Sequence, residues 1–216
     1  MSQFSHVIFD LDGTLTDNTR GIRNSLLYAM EHMQILGYSE DILEKFIGPP
    51  LQWGFSNLFG LNDRDTKMAV EYFRDYFSEK GLYENEPYPG IYELLERLHF
   101  HSVKMFIATA KLEKFAHKII EHFEFDRYIT QLKGADYEGK NATKSKLISD
   151  LLYTNHLRPS KNIVVVGDTP FDIEGGKENK LSTIAVTYGF GKEEELQEAN
   201  PDFTADSVEE LYKILA

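Results

Sequence analysis

The chain contains no cysteine, which excludes disulfides, zinc thiolates and thiol nucleophiles. It has no excess of basic residues: 23 Lys and Arg stand against 35 Asp and Glu, a formal net charge of −12. A general nucleic-acid-binding surface, which needs clustered cations against a phosphate backbone, is therefore not expected. Small phosphorylated partners stay open, because a divalent cation with one or two local bases inverts the field inside a pocket. No apolar stretch approaches the roughly 20 residues that a membrane-spanning helix needs. Nor does the amino terminus show a basic region followed by an apolar core. A soluble cytoplasmic protein without membrane or nucleic-acid-polymer partners is the expectation. No internal repeat or low-complexity segment is visible, and tryptophan occurs once, at Trp53.

What is present is a full-sized globular composition: 216 residues, 42% hydrophobic and 27% charged, enough for one core with a small accessory domain. Two textures alternate along it. Before about Asp17 and after about Pro87, short β-rich runs alternate with helical patterns. The expected strands are His6–Phe9, Val103–Ala108, Tyr128–Leu132, Ile163–Val166 and Ser182–Val186, with a short one near Asp202–Ala205. The expected helices lie near Ile91–Leu98, Leu112–Phe123, Lys144–Tyr153, Phe171–Asn179 and Val208–Leu215. Such alternation predicts a parallel sheet covered on both faces, and right-handed crossovers make it doubly wound. Between these stretches, residues 18–86 show only helical spacing, as in Ile22, Leu26, Ala29/Met30 and Met33, or Ala69, Tyr72/Phe73 and Tyr76/Phe77. The expected organisation is an α/β core of residues 1–17 and 87–216, with a small helical domain of residues 18–86 inserted after the first strand. The run Glu193-Glu194-Glu195 reads as a solvated helix face.

The first strand carries the strongest signal. In Val7-Ile8-Phe9-Asp10-Leu11-Asp12-Gly13-Thr14-Leu15-Thr16, an apolar run stops on two carboxylates one residue apart. Gly13 is expected to break the strand and leave the acids on a turn at its carboxyl end, where open α/β sheets bind ligands. Three further signals follow: Val103–Ala108 running into Thr109; Lys144 just before the helical spacing of Leu147, Ile148, Leu151 and Leu152; and Ile163-Val164-Val165-Val166-Gly167-Asp168-Thr169-Pro170-Phe171-Asp172. Taken together and in this order, they resemble the four motifs of the haloacid dehalogenase superfamily, whose phosphatase members open with DxDGT. The resemblance extends over nearly the whole chain.

That resemblance implies a Rossmann-like core with a helical cap, and a Mg²⁺-dependent phosphomonoesterase acting through an aspartyl-phosphate. Asp10 would be the nucleophile and Asp12 the general acid/base, its backbone carbonyl also binding the metal. Asp168 would be a metal ligand through its side chain. Asp172 would act on the metal through water or by orienting Lys144. Thr109, with the backbone N–H of Ala110, would hold a phosphate oxygen, and Lys144 would neutralise nucleophile and phosphate together. Lys140 and Lys146 lie close enough in sequence to be confused with Lys144. An anionic carboxylate attacks phosphorus only if repulsion between the anions is relieved, which is the physical case for a cation and a lysine, and an oxygen-only site suits Mg²⁺.

Within the superfamily, Phe46-Ile47-Gly48-Pro49-Pro50-Leu51 and the stretch from Ser78-Glu79-Lys80-Gly81 to Pro87-Tyr88-Pro89-Gly90 resemble the bacterial 5′-nucleotidase and phosphoglycolate phosphatase-like branch. Gly48 and Pro49 would sit in a stiff specificity loop. Trp53 would stack on a base or ring, or pack within the cap, and Arg23 and Lys45 are candidate cations for a second anionic group. The expected substrate is a small phosphorylated metabolite, a nucleoside 5′-monophosphate or a phosphoglycolate-like ester, and the expected state is monomer or homodimer. A phosphomutase on sugar phosphates and a non-catalytic phosphate-binding module are the alternatives. Ala110 departs from the Ser or Asn that many relatives carry there, which removes one polar contact.

Overall fold

The computed structural model describes residues 3–37, 39–46, 51–136 and 143–216, the side chains of residues 41 and 44 excepted. The chain divides into two compact units, residues 1–17 with 87–216, and residues 18–86.

The larger unit is built on a six-stranded sheet. Its strands are β1 (His6–Phe9), β4 (Lys104–Leu112), β5 (Ile129–Ala135), β6 (Ile163–Gly167), β7 (Ser182–Val186) and β8 (Phe203–Ala205), while β2 (Thr16–Asp17) and β3 (Glu86–Pro87) pair as a separate two-stranded ribbon. The order β5-β4-β1-β6-β7-β8, parallel at every pairing, is that of a Rossmann sheet. The chain moves outward from β1 to β5 and then restarts on the other side of β1 at β6. The crevice of such a fold opens where the order reverses, beyond the carboxyl ends of β1 and β6. The register places Phe9 opposite both Ile107 and Val166, so the residues that follow these strands emerge at one level.

The central strands are buried on both faces and therefore read as continuous apolar runs rather than alternating ones. Val7, Ile8, Phe9, Val164 and Val166 are fully buried. One face is covered by α7 (Lys144–Thr154), whose Leu147, Ile148, Leu151 and Leu152 pack with Ile8, Phe106, Ala108 and Val165. Each such buried aliphatic side chain contributes about 1.5–3 kcal/mol. The remaining helices of this unit are α5 (Ile91–Phe100), α6 (Glu113–His122), α8 (Pro170–Glu178), α9 (Glu193–Glu198) and α10 (Val208–Leu215). The doubly wound α/β core expected from the sequence is thus the observed one.

Strand β4 differs from its expected extent. The apolar run suggested an end at Thr109, yet the strand continues to Leu112. Its pairing with β5 shifts register there, Ala108 facing Lys133 and Leu112 facing Ala135. The polar segment Thr109-Ala110-Lys111 is a bulge, which bends a strand and re-aims its side chains.

The smaller unit holds α1 (Thr19–His32), α2 (Glu40–Lys45), α3 (Leu51–Leu58), α4 (Asp63–Tyr76) and a π-helical turn at Phe77–Gly81. Asn62 caps α4 by accepting from the backbone N–H groups of Arg64 and Asp65. Its core includes edge-on contact of Phe46 with Phe55, at 4.8 Å between ring centroids. No helix among the described residues is long and apolar enough to cross a membrane.

Candidate active site

The turn after β1 is shaped by Gly13, at φ +81°, a left-handed conformation that side chains rarely adopt. It folds the chain back so that Gly13 N–H donates to Thr16 O at 2.8 Å, leaving Asp10 and Asp12 off the end of the strand. Asp168 leaves β6 beside them. It accepts from the Thr14 hydroxyl at 3.1 Å through Oδ1 and from Phe190 N–H at 2.8 Å through Oδ2, and it is fully buried.

Lys144 opens α7 behind the N-cap Thr143, and its ammonium lies inside the core unit. Nζ is 2.8 Å from Asp10 Oδ1, 2.8 Å from Asp172 Oδ1 and 2.9 Å from the Ala108 carbonyl oxygen. The ammonium is thus ion-paired with two carboxylates and donates a hydrogen bond to one backbone carbonyl. Lys146, one of the residues confusable with it in sequence, instead pairs with Asp150 on the exposed side of α7; Lys140 lies outside the described residues. Asp172, at the third position of α8, uses its other oxygen, Oδ2, to accept from the backbone N–H (3.1 Å) and hydroxyl (2.7 Å) of Thr169. One carboxylate thereby caps a helix and orients the lysine.

Burying this much charge shifts the proton affinity of Asp10, Asp168 and Lys144. Burial pushes Asp10 up to about 7 from its ordinary 3.8, against the pull of Lys144 and with Asp172 and Asp168 adding to the rise. Burial likewise raises Asp168 to about 6, helped by Asp172 and opposed by the Phe190 N–H and the Thr14 hydroxyl. For Lys144, burial works toward a lower value, but Asp10 and Asp172 outweigh it and hold the ammonium above the ordinary lysine range.

A divalent cation fits this electrostatic demand. Asp10, Asp168 and Asp172 each offer a carboxylate oxygen, and these atoms lie within 4.8 Å of one another in a buried cluster. With all three ionised, the carboxylates against one ammonium leave two negative charges without a counter-charge. The donor set is all oxygen, the chemistry that hard cations such as Mg²⁺ prefer.

Thr109 is buried, and its Oγ1 accepts from Lys111 N–H at 3.2 Å; Ala110 is exposed. Asp12 is held by Lys111, whose Nζ donates to Oδ2 at 2.6 Å. Lys111, Thr14 and the Phe190 N–H are site residues that the sequence reading did not single out. The spacing of Lys111 two residues beyond Thr109 was the available hint, but a bulge breaks the alternation that would have made it secure.

The remaining candidates belong to the helical unit. Arg23 on α1 is engaged by Glu40 through two contacts, 2.6 and 3.0 Å. Lys45 ends α2 and is exposed, and Trp53 on α3 is 47% exposed. Gly48 and Pro49 lie outside the described residues.

The family described as haloacid dehalogenase-like hydrolase matches residues 7–186 of the chain. Over 213 residues the chain is 36% identical to a 5′-nucleotidase of Pseudomonas aeruginosa, covering 99% of this chain and 96% of that protein. Over 209 residues it is 29% identical to a phosphoglycolate phosphatase of Aquifex aeolicus, covering 97% and 95%. A solved structure of a haloacid dehalogenase-like family hydrolase from Streptococcus pneumoniae superposes with a TM-score of 0.89 at 30% identity, over 100% of both chains. The chain belongs to the haloacid dehalogenase-like hydrolases, among their phosphatases.

Proposed function

We propose that the protein is a Mg²⁺-dependent phosphomonoesterase of small phosphorylated metabolites, working through an aspartyl-phosphate on Asp10. The observation that carries the reading is the single ammonium of Lys144 held between Asp10 and Asp172 in a buried carboxylate cluster. It keeps a nucleophilic oxygen in place and offsets part of the repulsion that an incoming phosphate dianion meets.

Asp10 attacks phosphorus with a carboxylate oxygen as the ester P–O bond breaks, which divides a hard hydrolysis into two easier steps. Asp12 gives a proton to the departing alkoxide. It then takes one from the water that attacks the phosphorus and frees Asp10. Thr109 and the Ala110 N–H hold a phosphate oxygen, and Lys144 stays protonated and stabilises the charge spread over the phosphoryl group. Asp10, Asp168 and the backbone carbonyl of Asp12 would hold Mg²⁺, with Asp172 acting through its grip on Lys144 and Thr169. The bound ion supplies the charge neutralisation that lets two anions meet.

In this reading residues 18–86 are a cap that selects the leaving group and excludes water during reaction. The 36% identity to a 5′-nucleotidase across nearly the full chain favours a nucleoside 5′-monophosphate as substrate, with phosphoglycolate next. Phosphate release from nucleoside monophosphates, phosphoglycolate, sugar phosphates and an aryl phosphate, measured with Mg²⁺ and with EDTA, tests it. Metal-dependent release is expected; isomerisation of a sugar phosphate without net release would assign a mutase instead.

A further inference from the structure

We propose that Lys111 is a positioning residue for Asp12, fixing which carboxylate oxygen is held and which is turned to the leaving group; the inference rests on the phosphatase reading above. Lys111 Nζ donates to Asp12 Oδ2 at 2.6 Å, and the two side chains are only 8% and 22% exposed. The other oxygen, Asp12 Oδ1, is buried and has no hydrogen-bond partner among the described residues. A buried acceptor without a partner is costly, and native structures keep such atoms where chemistry needs them. The arrangement divides the labour of one carboxylate: Oδ2 is tied to an ammonium, and Oδ1 is left for the substrate.

The bulge in β4 is what makes this reach available. Regular pairing with β5 ends at Ala108 and resumes at Leu112, and the looped-out residues between deliver both Thr109 and Lys111. As the ester P–O bond breaks and the Asp10–phosphorus bond forms, the proton on Oδ1 passes to the alkoxide, releasing an alcohol. In the second half, water gives its proton to Oδ1 while its oxygen bonds to phosphorus and the Asp10–phosphorus bond breaks. Lys111 keeps its own protons throughout. Its work is orientation, since a carboxylate free to rotate spends much of its time with neither oxygen aimed at the leaving group.

The test uses leaving-group basicity. Protonation matters little when the leaving group is p-nitrophenolate and greatly when it is an alkoxide. The readout is kcat/KM, which covers phosphoryl transfer to Asp10 but not the later hydrolysis. It would be measured on p-nitrophenyl phosphate and a series of alkyl phosphates for wild type, Lys111→Met, Lys111→Arg and Asp12→Asn. Lys111→Met should lose about tenfold more on the alkyl esters than on the aryl ester, a part of the ~10²–10⁴-fold that general acid catalysis supplies. Asp12→Asn should show the same selectivity more strongly, and Lys111→Arg should recover part of the alkyl activity. Equal losses across the series, or a rise in KM alone, would overturn the inference and place Lys111 on the substrate phosphate. Wild-type protein silent toward every ester would sink the phosphatase reading and this inference with it. Thermal melting verifies that the variants fold; if Lys111→Met does not, Lys111→Arg, with its displaced donors, carries the same comparison.

Discussion

Gly13 and Asp168 touch so closely that a Cβ added at Gly13 would lie 2.2 Å from Asp168 Oδ2. The left-handed φ of +81° and this approach act on the same residue, so two separate constraints exclude any side chain there. Gly13→Ala should cost about 1–2 kcal/mol for the backbone alone, and more as Asp168 is displaced from the Thr14 hydroxyl and the Phe190 N–H. The expected outcome is a lower melting temperature together with weakened Mg²⁺ dependence of activity, read by thermal melts and a Mg²⁺ titration of phosphate release. Wild-type Mg²⁺ response in Gly13→Ala would show that Asp168 does not need its present position.

Asp10→Asn keeps the shape of the side chain and would remove the proposed attacking anion. Turnover should fall to background while the circular dichroism spectrum and cooperative unfolding persist. Asp12→Asn should also lower turnover severely, yet disturb Mg²⁺ binding less, because that residue would serve the cation through its backbone carbonyl. Either variant working at wild-type rate contradicts the assigned roles.

Removing Lys144 is expected to damage stability as well as catalysis. Its ammonium is ion-paired with Asp10 and Asp172 and donates to the Ala108 carbonyl, so Lys144→Met leaves two buried carboxylates without their counter-charge. Loss of one partner from a buried ion pair costs about 3–5 kcal/mol, which urea unfolding would register. Lys144→Arg should restore some stability but little activity, since a planar guanidinium presents its donors as a fork and cannot place them on three acceptors around one point. Full activity in Lys144→Arg would mean that only the charge is used.

Much of this arrangement is legible in the chain, for physical reasons that differ by element. β1 and β6 are buried on both faces, so Val7-Ile8-Phe9 and Ile163-Val164-Val165-Val166 stand out as apolar runs, and the acids that end them mark the carboxyl edge of the sheet. The helical texture of residues 18–86 is equally plain because no period-two run interrupts it. β4 is harder. Thr109-Ala110-Lys111 has no strand signature, and only its pairing with β5 carries the strand on to Leu112. Contacts made by backbone groups, such as the Phe190 N–H on Asp168, leave no trace in sequence because every residue but proline owns the same donor. The pairing of Arg23 with Glu40 shows the opposite problem: an isolated cation in the sequence invites a ligand that a neighbouring helix already supplies.

The raised acids make a prediction about pH. Asp10 is pushed up to about 7 and Asp168 to about 6, each chiefly by burial, so between about pH 4 and 7 the folded protein retains protons that the unfolded chain has released. Stability falls with pH wherever the native state binds more protons. The contribution of these two groups is therefore fully present below their unfolded values near 4, and is lost as pH rises through 6 and 7. Mg²⁺ competes with those protons, since it needs ionised carboxylates, and its stabilising effect must grow over the same window. Thermal melts in EDTA and in saturating Mg²⁺, taken from pH 5 to 8 on wild type and Asp10→Asn, separate this site from every other titrating group. In EDTA, wild type should lose more stability than Asp10→Asn between pH 5 and 8, and the Mg²⁺-induced rise in melting temperature should be small at pH 5 and largest at pH 8. Parallel pH profiles for the two proteins, or a Mg²⁺ shift independent of pH, would mean that Asp10 enters the folded state already ionised, with Lys144 alone outweighing its burial.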